Sequence, residues 1–198
     1  MSLALSIPPV MTVTEFLAWN APSGSCWQLV EGVPTAMAPA SRTHGIIQGE
    51  LGALLRNHLV ASNSPCQLVT APGIIPRVRA HNNFRIPDLG VTCTPYRDEE
   101  YDVANPVLVV EILSPSNQSE TWLNVWAYAS VPSVREIVIV NSVEIAVDVL
   151  RRDAHGDWPP RSERITEGDI HFASIAFTVP IEAIYRGTRL LPGAGTTA

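Results

Sequence analysis

Two acidic residues stand where a folded chain tolerates acids poorly. Glu111 interrupts Val107-Leu-Val-Val-Glu-Ile-Leu113, an otherwise apolar run. A carboxylate buried there costs several kcal/mol unless a partner compensates it. Asp88 follows a proline in Phe84-Arg-Ile-Pro-Asp-Leu-Gly-Val91, a second strand-like segment, and the connection between the two can return the chain alongside. At adjacent sheet positions the pair would form a hard oxygen site suited to Mg²⁺ or Mn²⁺. Alternatively, each acid pairs with an arginine or a backbone donor and binds nothing.

The elements that must position these acids follow from periodicity. Thr12-Val-Thr-Glu15 has the form of a capping box and predicts a short helix to about Trp19. Trp27 to Val33 and Thr35 onward read as a hairpin around Gly32 and Pro34. Ile46, Ile47, Leu51, Leu54, Leu55 and Leu59 recur at helical spacing, with Thr43 as the natural cap and His44 in the first turn. Leu68 to Ile75 and Arg77 to Arg79 look extended and turn at His81-Asn-Asn83. Val107 to Leu113 reads as a central strand covered on both faces. Ser116 or Asn117 caps a helix over roughly Ser119 to Ser130, and Val134 to Val140 is a buried strand. Val143, Ile145, Val147 and Val149 alternate with Glu144 and Asp148, which predicts a half-exposed partner strand in a hairpin. From Ala154 the chain is turn-rich, with weak strand signals near Ile175 to Val179 and a helical patch at Ile181 to Tyr185. The expected fold is α/β, a mixed sheet flanked by helices in one domain over 1–198, with a core at about 11–150 and a looser extension over 151–198.

Composition narrows the function classes. A hydrophobic share of 46% and a charged share of 16% describe a globular chain. The apolar runs are too short to cross a bilayer, and the N-terminus lacks the basic start of a signal peptide. The three cysteines, Cys26, Cys66 and Cys93, are widely spaced with no C-x-x-C pair. They argue against a disulfide framework or a zinc site and suit a reducing cytoplasm. The formal charge of -6 gives no global attraction for nucleic acid. All 13 basic residues are arginine, so no position supplies a lysine ammonium. Arg77, Arg79 and Arg85 flank the His81 turn, either as a local phosphate-binding patch or as a solvated strand face. There is no G-x-S-x-G elbow, no H-x-x-x-H pair and no glycine-rich phosphate loop, so acyl transfer, zinc and nucleotide cofactors are unsupported.

Several segments together resemble a known family. Ile86-Pro-Asp-Leu-Gly-Val91, Val109-Val-Glu-Ile-Leu-Ser-Pro-Ser116 and Asn124-Val-Trp-Ala-Tyr128 followed by Pro132-Ser-Val-Arg-Glu-Ile-Val138 carry the likeness. The T-V-T-E-F-L start, the W-Q-L-V-E-G hairpin and the H-G-I-I-Q-G-E-L helix extend it. Their order and spacing resemble the bacterial "Uma-two" restriction endonuclease family, of the PD-(D/E)XK nuclease superfamily, over about residues 11 to 150. The resemblance implies a restriction endonuclease-like core that cuts DNA phosphodiesters with Mg²⁺ or Mn²⁺. Asp88, Glu111 and the main-chain carbonyl of Ile112 would hold the ions, and His44 would touch the phosphate or a water at the metal, or else make a structural hydrogen bond. Two copies pairing to cut both strands is compatible with it.

The departures are as informative. Superfamily members commonly carry a lysine two residues beyond the acid, where Leu113 stands here. The family resembles enzymes that moved this lysine to the next helix, at the place of Asn124, with Gln118 nearby. Either amide can orient a water, but neither accepts a proton at neutral pH. The family's Y-E-L stretch also reads Trp27-Gln28-Leu29. Losing a positioned proton-transfer group typically slows a reaction about 10²- to 10⁴-fold. Two further readings therefore stand beside the endonuclease. One is a degenerate nuclease fold that binds nucleic acid or a protein partner without cutting. The other is a structural domain whose acids pair with arginines.

Overall fold

The computed structural model describes residues 10–96, 101–114 and 118–191, with the side chains of 118–120 outside that description. Its centre is a six-stranded sheet in the order β3-β4-β5-β6-β7-β8. The strands are β3 (Gln67–Thr70), β4 (Leu89–Thr92), β5 (Pro106–Leu113), β6 (Glu136–Asn141), β7 (Val147–Arg151) and β8 (Glu163–Ile165). Only β5 and β6 run parallel, joined by the crossover helix α3 (Gln118–Ala129); the other neighbours in this sheet are antiparallel. The mixed sheet matches the expected fold class.

The sheet is covered on both faces because β5 is apolar on both. Leu108, Val110 and Ile112 pack with Ile47, Leu51, Leu55 and Leu59 of α2 (Arg42–Ala61). Val109 and Leu113 pack with Val125 and Tyr128 of α3. Side chains alternate across a strand, so Glu111, between Val109 and Leu113, belongs to the α3 face. A smaller cluster of Met11, Phe16, Leu29 and Phe84 ties α1 (Val13–Leu17) to the hairpin β1 (Trp27–Val30) and β2 (Val33–Ala36).

Several expectations need correction. The α2 cap is Ser41, two residues before Thr43; its Oγ accepts from the His44 N–H at 3.2 Å. The first hairpin turns through Glu31 and Gly32 alone, both at positive φ (52° and 84°), and Pro34 lies within β2. That two-residue turn suits the twist of the flanking strands. The strand paired with β6 starts at Val147, because Asn141 Oδ1 accepts from the Val143 N–H at 2.8 Å and closes a turn over the residues between. Asp148 is buried on it, receiving Arg164 Nη1 and Ser162 Oγ at 2.9 Å each. Ser116 and Asn117 lie outside the described residues.

Two corrections concern longer-range contacts. Cys66 and Cys93 form a disulfide. They flank the opposed pair Gln67 and Thr92, so the β3–β4 register brings them together across 27 residues of sequence. Spacing alone does not reveal such a pair. The weakly patterned tail folds as β9 (Asp169–Phe172), β10 (Phe177–Pro180) and α4 (Ile181–Ile184). Ile170, Phe172, Val179, Ile181, Ile184 and Tyr185 join the α2-side core rather than forming a loose extension.

Candidate active site

The acid pair is built by the end of the β4–β5 ladder. The opposed pairs run from Val91 and Leu108 to Leu89 and Val110, and Asp88 lies one step beyond. There the Ile112 N–H donates to Asp88 Oδ2 at 2.6 Å. A carboxylate side chain thus takes the donor that a further strand residue would have taken. The other oxygen, Oδ1, accepts from His44 Nε2 at 2.7 Å. Gln48 Nε2, one turn along α2, donates to the Asp88 carbonyl at 3.0 Å. The Ser41 cap fixes the first turn of α2 and with it the approach of His44. Asp88 and His44 are both largely buried, with 15% and 10% of their side chains exposed.

Glu111 is buried on the same β5 segment. Its Oε1 accepts from the Tyr128 hydroxyl at 2.8 Å and from Asn124 Nδ2 at 3.3 Å. Both donors come from α3, four residues apart, so they share one helix face. Burial raises the Tyr128 hydroxyl well above its ordinary range, the Glu111 charge and hydrogen bond push the same way, and nearby Arg85 opposes them. Tyr128 is therefore a fixed proton donor to the carboxylate at neutral pH.

Asp88, Glu111, Ile112, His44 and Asn124 meet in one neighbourhood. Gln118 opens α3, but its side chain lies outside the described residues. Neither arginine reading holds for Arg85, which is buried and donates through Nη1 to Asn124 Oδ1 at 2.9 Å. Arg77 and Arg79 are exposed, and Arg79 pairs with Glu31. Sequence reasoning passed over Tyr128 and Gln48 as site residues, and weighed Arg85 only as part of a surface patch. Tyr128 lies four residues from Asn124 on a helix and Gln48 four from His44, a spacing that could have flagged both.

The donor set suits a hard cation in type. Two carboxylates beside a main-chain carbonyl are the oxygen ligands that Mg²⁺ prefers, with the rest of its shell left to water or phosphate. Each oxygen of Asp88 accepts from one protein donor, whereas a carboxylate has about four lone-pair sites in all. Among the described residues no three His, Cys, Asp or Glu side chains form a metal-binding group.

The chain, a mixed sheet with helices on both faces, shares the nuclease-like fold of a solved neighbour. It superposes on the crystal structure of a "putative nuclease belonging to DUF820" from Anabaena variabilis with a TM-score of 0.71 at 18% identity, over 88% of this chain and 97% of that one. The chain belongs to the Uma2 family, described as "Putative restriction endonuclease", which matches residues 13–170. It is also 28% identical to an uncharacterized protein of Synechocystis sp. over 181 residues, 90% of this chain and 93% of that protein. No helix among the described residues is long and apolar enough to cross a membrane.

Proposed function

We propose that the chain is a divalent-metal-dependent endonuclease that hydrolyses DNA phosphodiester bonds, with Asp88 and Glu111 as its acidic pair. The observation that carries this reading is the Ile112 N–H bond to Asp88, which seats the first acid beside the strand segment bearing the second. Asp88, Glu111 and the Ile112 carbonyl would hold Mg²⁺ or Mn²⁺. Such an ion supplies Lewis-acid activation of the phosphodiester and of the attacking water. The residues of the chain orient these ligands: His44 and the Ile112 N–H hold Asp88, and Tyr128 and Asn124 hold Glu111. Asn124 and Gln118 would stand where a lysine would transfer a proton, and neither can accept one at neutral pH. Slow turnover follows.

A specific observation favours a second reading, a nuclease fold that binds nucleic acid or a protein partner without cutting. Protein donors hold both acids in the absence of any lysine. Cleavage of supercoiled plasmid and single-stranded DNA in Mn²⁺, beside Asp88→Ala and Glu111→Ala, decides between them. Cleavage that both substitutions and chelation abolish supports the enzyme. Cleavage no greater than that of the variants overturns it.

A further inference from the structure

Arg85 is the buried cation of this neighbourhood, and its backbone is held from two sides. It exchanges main-chain hydrogen bonds with Ile74 at 2.7 and 2.8 Å. Its neighbour Phe84 exchanges the same pair with Leu29 at 2.8 and 3.0 Å. From this clamped backbone the guanidinium forks: Nη1 donates to Asn124 Oδ1 at 2.9 Å and Nη2 to Asn83 Oδ1 at 3.2 Å. Asn83 is fixed in turn, because its Oδ1 also accepts from the Glu31 N–H at 2.9 Å and its Nδ2 donates to the Val78 carbonyl at 3.2 Å.

The consequence lies in Asn124. A carboxamide has one accepting end and one donating end. With its oxygen on the guanidinium, Asn124 presents its NH₂ to Glu111 Oε1. A cation on one side and a carboxylate on the other leave the amide a single favourable orientation.

We propose that Arg85 is a positioning residue of this site: it orients Asn124 so that the amide holds Glu111, and it places a positive charge at one remove from that acid in a chain that has no lysine. This rests on the acid-pair reading above. A planar fork suits the task, since it reaches Asn83 and Asn124 at once, whereas an ammonium on a flexible stem is a single point charge.

The test titrates the full chain with Mn²⁺, reading bound ion by electron paramagnetic resonance. Native protein is compared with Arg85→Lys, Arg85→Met, Asn124→Leu and the Met/Leu double variant. Removing an outer partner of a metal ligand typically weakens binding about 10- to 100-fold. Arg85→Met should fall by that factor and Arg85→Lys should recover part of it, since an ammonium keeps the charge but not the fork. The double variant should bind no worse than Asn124→Leu, because Arg85 acts through Asn124 and residues in one chain of contacts are not additive. Arg85→Met binding as tightly as native, or additive losses, overturns the proposal. Arg85→Gln replaces Arg85→Met if circular dichroism shows the latter unfolded.

A second readout needs no metal. The Asn124 side-chain NH₂ signals in a nitrogen–proton correlation spectrum should be protected from solvent exchange in native protein and exposed in Arg85→Met or Arg85→Gln. Unchanged protection in those variants also overturns the proposal. If native protein binds Mn²⁺ no better than Asp88→Ala, the acid-pair reading fails by itself, and the amide signals still decide the role of Arg85.

Discussion

The Asp88 carboxylate continues a β-ladder that the main chain has left: its Oδ2 accepts the Ile112 N–H at 2.6 Å, one step past the Leu89 and Val110 pair. The position of this acid is thus tied to the register of β4 against β5 and not to a mobile loop. The same carboxylate receives His44 from α2, so the sheet and the first long helix are joined at one side chain.

Asp88→Ala should therefore cost stability as well as any metal binding. It leaves the Ile112 N–H and the His44 ring without their acceptor, and a buried donor so orphaned costs about 1–3 kcal/mol. Urea unfolding of native and variant protein measures it. A midpoint unchanged at equal slope would mean that the bond contributes nothing.

Tyr128→Phe removes a hydroxyl whose proton is committed to Glu111. A loss of about 1–3 kcal/mol in stability is expected from the weakened hold on a buried carboxylate. Mn²⁺ affinity should fall with it, because the carboxylate loses an α3 donor. Unaltered affinity on titration would separate Tyr128 from the site.

Asn124→Lys places an amine on the α3 face that carries Asn124 and Tyr128. If the chain is a nuclease slowed by the missing lysine, plasmid cleavage in Mn²⁺ should rise by a substantial part of the roughly 10²- to 10⁴-fold that a positioned proton-transfer group contributes. The new charge faces Arg85, so a lower melting temperature should accompany the gain. A stable variant with no faster cleavage argues for the non-cutting reading.

Gly73→Ala tests a packing constraint near the site. An added methyl would overlap the Phe84 ring and the Tyr101 carbonyl, and the latter is backbone that cannot step aside cheaply. The Gly73 carbonyl accepts from the Val103 N–H at 2.8 Å, so this segment cannot simply retreat. A loss of about 1–3 kcal/mol is expected, as for other overpacked interiors. Calorimetric melting checks it.

Tyr185 predicts the alkaline limit of the fold. Burial pushes its hydroxyl from the ordinary value near 10 up to about 12, with the main-chain contacts to Ala146 and Asn141 pulling the other way. The folded state favours the protonated form, so this stabilisation is complete below about pH 10 and is lost as pH rises through about 12. The slope in that window is about 1.4 kcal/mol per pH unit for one such group. Tyr185→Phe should be less stable at neutral pH, because the Ala146 N–H loses its acceptor, and should decline less steeply above pH 10. An identical slope for variant and native, followed by urea unfolding across that range, would assign the alkaline loss elsewhere.

The central strand and its acid were legible because Glu111 breaks a run whose two faces both demand apolar residues. The capping box at Thr12 and the helical spacing of Ile47, Leu51 and Leu55 were equally plain, since local hydrogen bonds and one buried face set them. Arg85 was not legible. A basic residue spaced alternately with Arg77 and Arg79 looks like a solvated face until the bridges to Leu29 and Ile74 enclose its segment. The tail failed for a related reason: short strands of three or four residues carry little periodicity, and their place in the core is set by the surface they cover.

What the sequence determined by itself is therefore local: where helices start, which strand is buried on both faces, that an acid sits within it, and that no lysine is present to serve it. The tertiary structure decided which distant side chains meet that acid. The register of β4 on β5 brought in Asp88, the crossover helix brought Tyr128 and Asn124, and the β3–β4 pairing joined Cys66 to Cys93. Such pairings separate in sequence because they depend on strand register and helix rotation, which the chain fixes only when its two faces are packed at once.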